Sequence, residues 1–251
     1  MDDKLFVASV EKTFLVLEAY NTGKKYLSNE EITKITGLNK SAVQRFTHSL
    51  HTLGYLSKQT QTKRYCLAPK STNICYNYIT SNPLIDILTP RLVDLRNTFD
   101  VTLNVSILDG SDVVFILQAA AYQELFARTI VGKRVPAWCS AGGRAMLSKF
   151  PESEYKKIIT ESKRIEFTKH TKTDPETIIE IIKTCQTNGY VINNQEYIIG
   201  EIVLSAPITN LLGEPIAAVH VSVSTRIWDE ERLIKEISNE ILNLVQSIHI
   251  P

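Results

Sequence analysis

Five side chains in "LNKSAVQRFTHSLHTLGYL" (Leu38–Leu56) have the types and spacing for nucleic-acid chemistry: Lys40, Ser41, Gln44, Arg45 and His48. On a helix from Lys40 to Leu53 they share the polar surface with His51, and no carboxylate lies among them. Gln44 can pair bidentately with adenine and Arg45 with guanine, while Lys40 and Ser41 suit phosphates. His48 and His51 stand three apart without a third ligand nearby, so no metal site is expected.

A second group lies in "PAWCSAGGRAML". Ser140, Ala141, Gly142 and Gly143 surround a predicted helix start, where free amides and the helix dipole favour an anion. Glycine there lets a small ligand approach the backbone. Cys139, Asn193 and His220 supply the residue types of a thiol triad, and a helix N-terminus would lower the thiol pKa. Residue types without proximity carry little, however. The chain has no Gly-x-Ser-x-Gly, no His-Glu-x-x-His and no phosphate loop. It reads as a ligand pocket in a non-enzyme, with no cofactor.

The elements that must position these groups follow from periodicity. Ser9 can cap a helix reaching about Tyr20, with Val10, Phe14 and Leu17 inward. "SNEE" at Ser28–Glu31 is a capping box opening a short helix that buries Ile32 and Ile35 and stops at Gly37. The Lys40 helix then presents Val43, Phe46, Leu50 and Leu53 inward and ends at Gly54. "YLSK" and "RYCLA" flank the polar "QTQT", a hairpin with Lys58, Lys63 and Arg64 at its base. Helix, helix–turn–helix and basic hairpin make a winged helix-turn-helix, in which Lys63 and Arg64 suit phosphates. A three-helix protein-interaction module with a solvated polar face would show the same elements. It would bind DNA weakly, without sequence preference, and lose it by physiological salt.

Downstream, "STNICYNYITSNPLIDILTPRLVDLRNTFD" predicts a linker helix, a break at Pro83 and a helix with Leu84, Ile87, Leu88, Leu92 and Leu95 inward. Strands near 101–108 and 112–119 meet at an Asp-Gly turn, and strands near 201–209 and 215–224 surround "LLGEP". "PETIIEIIKTCQTNGY" is an amphipathic helix capped by Gly189, and "WDEERLIKEISNEILNLVQSIH" is a closing helix. Helices with antiparallel strands place the second half in the α+β class.

The 251 residues favour two domains over one, and their charge is segregated. The net charge is +1, yet residues 1–70 hold eleven basic against six acidic residues, or +5, leaving 17 against 21, or −4. Cys66, Cys75, Cys139 and Cys185 are scattered, as in a reducing compartment. An acidic N-terminus without an apolar stretch predicts no signal peptide, and no run is long enough to span a bilayer. The expected setting is the cytoplasm.

"SVEKTFLVLEAY", the Leu38–Leu56 stretch, "KRYCLAPK", "VTLNVSILDGSDVVFI", "VGKRVPAWCSAGGRAMLSKFPESE" and "NGYVINNQEYIIGEIVLSAPITNLLGEPIAAVHVSV" resemble, in order, the IclR family of bacterial transcription regulators. The wing strand ends Leu-Ala where Leu-Gly is common. The resemblance implies a winged helix-turn-helix over 1–70, a linker helix over 71–82, and an effector-binding and oligomerisation domain over 83–251. That last domain would be GAF-like, an antiparallel sheet with helices on both sides.

By the same resemblance, effector contacts fall on Val135, Ala141, Gly142, Asn193 (shortly before Glu196), Val203, His220 and Ser222, with Ser140 and Trp138 beside them. Members that bind small acids tend to carry an acid at Asn193 and Ser at His220. "PAWCSAGGR", with Arg144 where Lys is commoner, is similar to the branch controlling aromatic-acid catabolism. An aromatic or other hydrophobic carboxylate is thus implied. So are palindromic duplex operators, homodimers paired through the first helix, and pairing of dimers into tetramers. Val7, Val16 and Tyr20 are the sequence's candidates for that dimer face.

Overall fold

The chain folds as two units, Met1–Tyr78 and Ile79–Pro251; a computed structural model describes residues 5–122 and 131–248. The first unit begins with α1 (Ala8–Glu18), α2 (Asn29–Thr36) and α3 (Lys40–Thr52), followed by the hairpin β1 (Leu56–Lys58) and β2 (Tyr65–Leu67). In α2 the capping box is formed in both directions: the Glu31 amide donates to Ser28 Oγ at 3.2 Å and the Ser28 amide donates to Glu31 Oε2 at 2.9 Å. Gly37 closes α2 in the left-handed region at φ 71°. Asn39 caps α3 by accepting from the Ala42 amide at 2.8 Å.

Three expectations for this unit are corrected. Ser9 lies inside α1, whose N-cap is Val7 and carries no side-chain cap. Of Val10, Phe14 and Leu17, Leu17 packs against the core beside Val16, Ala19 and Tyr20, while Val10 and Phe14 are about half exposed. Both faces of α1 are apolar, so periodicity marks two stripes, and packing against Ile32, Val43 and Leu50 selects one. Ile35 and Leu53 are likewise exposed rather than buried.

A short 3₁₀ turn, Pro69–Ser71, leads into α4 (Thr72–Thr80), and the division between the units falls within this helix. Asn82 then caps α5 (Pro83–Phe99), accepting from the Leu84 amide at 3.1 Å, with Pro83 in the first turn. Leu84, Ile85, Leu88 and Leu92 are buried on it; Ile85 takes the place expected for Ile87, which is exposed.

The second unit is built on a six-stranded, wholly antiparallel sheet in the order β5-β4-β3-β8-β7-β6. The strands are β3 (Thr102–Asp109), β4 (Asp112–Ala119), β5 (Arg134–Pro136), β6 (Val191–Asn194), β7 (Glu201–Thr209) and β8 (Pro215–Ser224). Strand alternation gives the sheet two unlike faces. Leu103, Val105, Leu204, Ala206, Val219 and Val221 point into an apolar core with α5 and the closing helix α9 (Glu230–Gln246). The intervening positions Asn104, Ser106, Val203, Ser205, His220 and Ser222 form a largely polar second face. That face lies on the side of α6 (Ala141–Leu147), α7 (Glu152–Glu161) and α8 (Pro175–Asn188). Buried polar groups in such a row must be paired or serve a ligand. Among the described residues no helix is long and apolar enough to cross a membrane.

Candidate functional site

In the first unit, Lys40, Ser41, Gln44, Arg45 and His48 are all exposed on α3. Ser41, Gln44, Arg45 and His48 stand at i, i+3, i+4 and i+7, one face of the helix. Val43, Thr47 and Leu50 anchor the opposite face, and the Thr47 hydroxyl also reaches Asn29 Oδ1 of α2 at 3.3 Å. His51 leaves the polar set: its Nδ1–H donates to the Leu56 carbonyl at 2.9 Å, fixing the start of the wing.

In the wing, Lys63 is exposed in the left-handed region at φ 55°. Arg64 instead turns back to Glu31, 3.5 Å away, and Lys24 approaches the same carboxylate at 3.3 Å. The Ser28 amide bond and these cations hold the Glu31 carboxyl down to about 2. Arg64 therefore braces the wing against α2, Lys58 lies over the Tyr65 ring at 5.3 Å, and Lys63 is left facing outward.

In the second unit a cleft opens on the polar sheet face, with about 500 Å³ of empty space, solvent at its mouth included. Seven of the nine residues marked for a ligand line it: Val135, Ser140, Ala141, Asn193, Val203, His220 and Ser222. Strand register explains the convergence, because Val203 lies opposite Ser222 on β8 and opposite Asn193 on β6. Trp138 and Gly142 do not line the cleft. Trp138 is buried in the core under α6, stacked on Phe167 at 6.1 Å. Gly142 is where His220 passes: a Cβ there would lie 2.0 Å from the ring's Cε1, so the missing side chain makes room for an imidazole, not a ligand.

Asn104, Phe115, Lys133, Tyr197, Ile198 and Glu201 complete the lining and were missed. Two of them left a trace in the sequence. Glu201 is two residues before Val203 and so shares its face, and Lys133 is the first variable position of Gly-x-Arg-x-Pro.

The polar groups differ in what they have left to give. Asn193 Nδ2 donates to the Cys139 carbonyl at 2.6 Å, and its Oδ1 accepts from the Glu196 amide at 3.1 Å. Ser140 Oγ accepts from the Gly143 amide at 3.0 Å, closing the first turn of α6. His220 Nε2 and Ser106 Oγ share a hydrogen bond of 2.7 Å.

Beneath the cleft, Arg144 and Glu196 form a buried bidentate pair at 2.7 Å on both arms. Arg144 Nε also donates to the Trp138 carbonyl at 2.8 Å, and the Lys172 amide donates to Glu196 Oε2 at 3.0 Å.

This geometry contains no thiol triad. Asn193 meets the Cys139 backbone, His220 meets Ser106, and burial pushes the Cys139 thiol up to about 12. A helix start lowers a thiol pKa only where desolvation is weak, and here burial outweighs it.

Burial holds the His220 imidazole down at about 3, against an ordinary 6.5. The folded unit keeps it neutral while the unfolded chain takes up a proton below about pH 6.5. From this group, stability should be full above that pH and fall by up to about 1.4 kcal/mol per pH unit as the pH drops towards 3. Chemical unfolding of the protein from pH 7 to 4 should show that slope, and a His220→Gln variant should show a shallower one.

A winged helix-turn-helix followed by a ligand-cleft domain defines a one-chain transcriptional regulator, and comparison with known proteins gives the family. Residues 9–60 match the IclR helix-turn-helix domain, and residues 76–250 match the bacterial transcriptional regulator IclR C-terminal domain. The chain belongs to the IclR family, whose members are transcriptional regulators and not enzymes.

The Pca regulon regulatory protein of Pseudomonas putida is 28% identical over 221 residues, 88% of this chain and 75% of its own. A transcriptional regulator from Rhodococcus sp. RHA1 superposes with a TM-score of 0.81 at 23% identity, covering 96% of both chains. An IclR homolog from Microbacterium hydrocarbonoxydans, complexed with 4-hydroxybenzoate, gives a TM-score of 0.75 at 18% identity, covering 96% of this chain and all of that one. At these identities the two superpositions bear on the fold.

Proposed function

We propose that this regulator reads a palindromic operator through α3 and is switched, as repressor or activator, by a small carboxylate, aromatic or otherwise hydrophobic, bound in the sheet cleft. The observation that carries the DNA reading is the acid-free face of α3, where the side chains of Gln44, Arg45 and His48 are exposed and make no hydrogen bond or ion pair among the described residues. In this reading Gln44 and Arg45 meet base edges, with His48 beside them. Lys40, Ser41 and Lys63 meet phosphates, and Arg64 sets the wing. The effector class draws support from Lys133, a cation in the cleft, and from the 4-hydroxybenzoate complex of the Microbacterium homolog.

Two-fold operators call for a two-fold protein. Val16 and Tyr20 are spent in the core, so the dimer face we propose is Phe6, Val7, Val10 and Phe14, each more than half exposed. Apolar side chains clustered in this way at one end of a helix are a docking surface for a second copy. Dimers then pair through their effector domains. An effector that favours one arrangement of the recognition helices shifts operator affinity about 5- to 150-fold, a coupling of roughly 1–3 kcal/mol.

The test is selection of sites from random duplex DNA at physiological salt, with and without a panel of carboxylic acids. An enriched inverted repeat supports the reading. Weak binding without enrichment under every condition would leave the N-terminal module as a protein adaptor. On the selected site, Arg45→Ala should cost about 1–3 kcal/mol and relax one base position; an unchanged preference removes it from base reading. Ser222→Leu should abolish the response to effector, and a retained response would move the effector site elsewhere.

A further inference from the structure

Lys133 and Glu201 are the residues of opposite full charge lining the cleft among the described residues. They come from distant parts of the chain. Lys133 precedes β5, where its carbonyl accepts from the Phe115 amide at 3.0 Å and its ammonium lies 5.1 Å from the centre of the Tyr197 ring. Glu201 opens β7 opposite Ser224, on the face that Val203 shares.

Several of the other polar lining groups are already engaged within the protein. Both ends of the Asn193 amide are bonded, His220 is shared with Ser106, and Asn104 Oδ1 accepts from Gln118 Nε2 at 3.2 Å. The full charges the cleft offers a ligand are therefore the Lys133 ammonium and the Glu201 carboxylate beside the Ser222 hydroxyl, with the Tyr197 phenol also in the lining.

We propose that the cleft selects a bifunctional effector: its carboxylate pairs with Lys133, and a hydroxyl or amino group at its far end donates to Glu201. The proposal rests on the carboxylate-effector reading above and deepens it. Burial pushes the Glu201 carboxyl up, while a hydrogen bond with Ser222 and the charge of Lys133 pull it down. A bound carboxylate neutralises Lys133 and takes away the cation that helps keep Glu201 ionised. A partly buried carboxylate then gains from a new partner. A ligand with a remote donor supplies one. An acid without a donor leaves Glu201 with the Ser222 hydroxyl alone, and that missing partner weakens binding. The same argument disfavours a second carboxylate on the ligand, which would face Glu201 with like charge.

The proposal is tested by calorimetric titration of the purified full-length protein. The probes are benzoate and its para-hydroxy, para-amino and para-methoxy derivatives, with hexanoate and its terminal hydroxy derivative as an open-chain pair. Each donor-bearing acid is expected to bind roughly tenfold or more tightly than its donor-free partner, with para-methoxybenzoate grouped with benzoate. In Glu201→Met that advantage should vanish, and in Lys133→Met every acid should weaken by about tenfold or more. Equal affinity for donor-bearing and donor-free acids, or an advantage that survives Glu201→Met, overturns the proposal and leaves the carboxylate-effector reading standing. If no acid binds, that reading falls and this proposal with it. Should Glu201→Met fail to fold, the wild-type panel decides alone.

Discussion

Glu196→Ala is expected to cost the second unit about 3–5 kcal/mol, because it strands a buried guanidinium. Arg144 has no exposed surface and spends three donors inside the protein, two on the Glu196 carboxylate and one on the Trp138 carbonyl. Glu196 also takes the Lys172 amide, and its carbonyl accepts from the Thr171 hydroxyl at 2.6 Å. One ion pair thus ties together α6, the turn between β6 and β7, and the segment before α8. Both tryptophans of the chain, Trp138 and Trp228, lie in this unit, so their fluorescence reports its unfolding separately from the first unit. In denaturant, Glu196→Ala should shift that transition strongly, and by heat it should melt roughly 10 °C lower. The double variant Arg144→Met with Glu196→Met should recover much of the loss, since a buried pair replaced by apolar groups of similar size is often neutral. A small loss in the single variant would mean that water reaches the pair.

Gly143→Ala is the second large effect, towards the upper end of about 1–3 kcal/mol for an overpacked core. The added Cβ would lie 2.3 Å from the Ala137 carbonyl oxygen and 2.4 Å from its Cα, both backbone atoms that cannot rotate away. Gly142→Ala is the informative partner, because its Cβ meets the His220 ring instead. Combining Gly142→Ala with His220→Ser should restore stability, whereas His220→Ser should not help Gly143→Ala. Rescue of both variants, or of neither, would show that the helix start yields as a whole. "AGG" is thus a packing device: two glycines let α6 lie against an imidazole and a backbone carbonyl at once.

Much of this molecule was legible in its residues. The Ser28–Glu31 capping box, the Lys40–Thr52 helix with its exposed basic face, and the Asp-Gly turn between β3 and β4 all follow from rules acting over a few residues. Strands β7 and β8 run over the ranges that alternation marks, and His220 and Ser222 share a face because strands have period two. Which apolar stripe of α1 is buried was not legible, because either would satisfy a helix alone and only the neighbouring helices choose.

The cleft shows the same limit. Trp138 sits two residues from Ser140, yet it turns into the core, while Lys133 before β5, Phe115 within β4 and Glu201 at the start of β7 converge on the cleft. Sequence alone determined the elements, their caps and the exposed basic helix, since those depend on local hydrogen bonds and periodic burial. Tertiary structure decided which charges face one another, because strand register joins residues far apart in the chain.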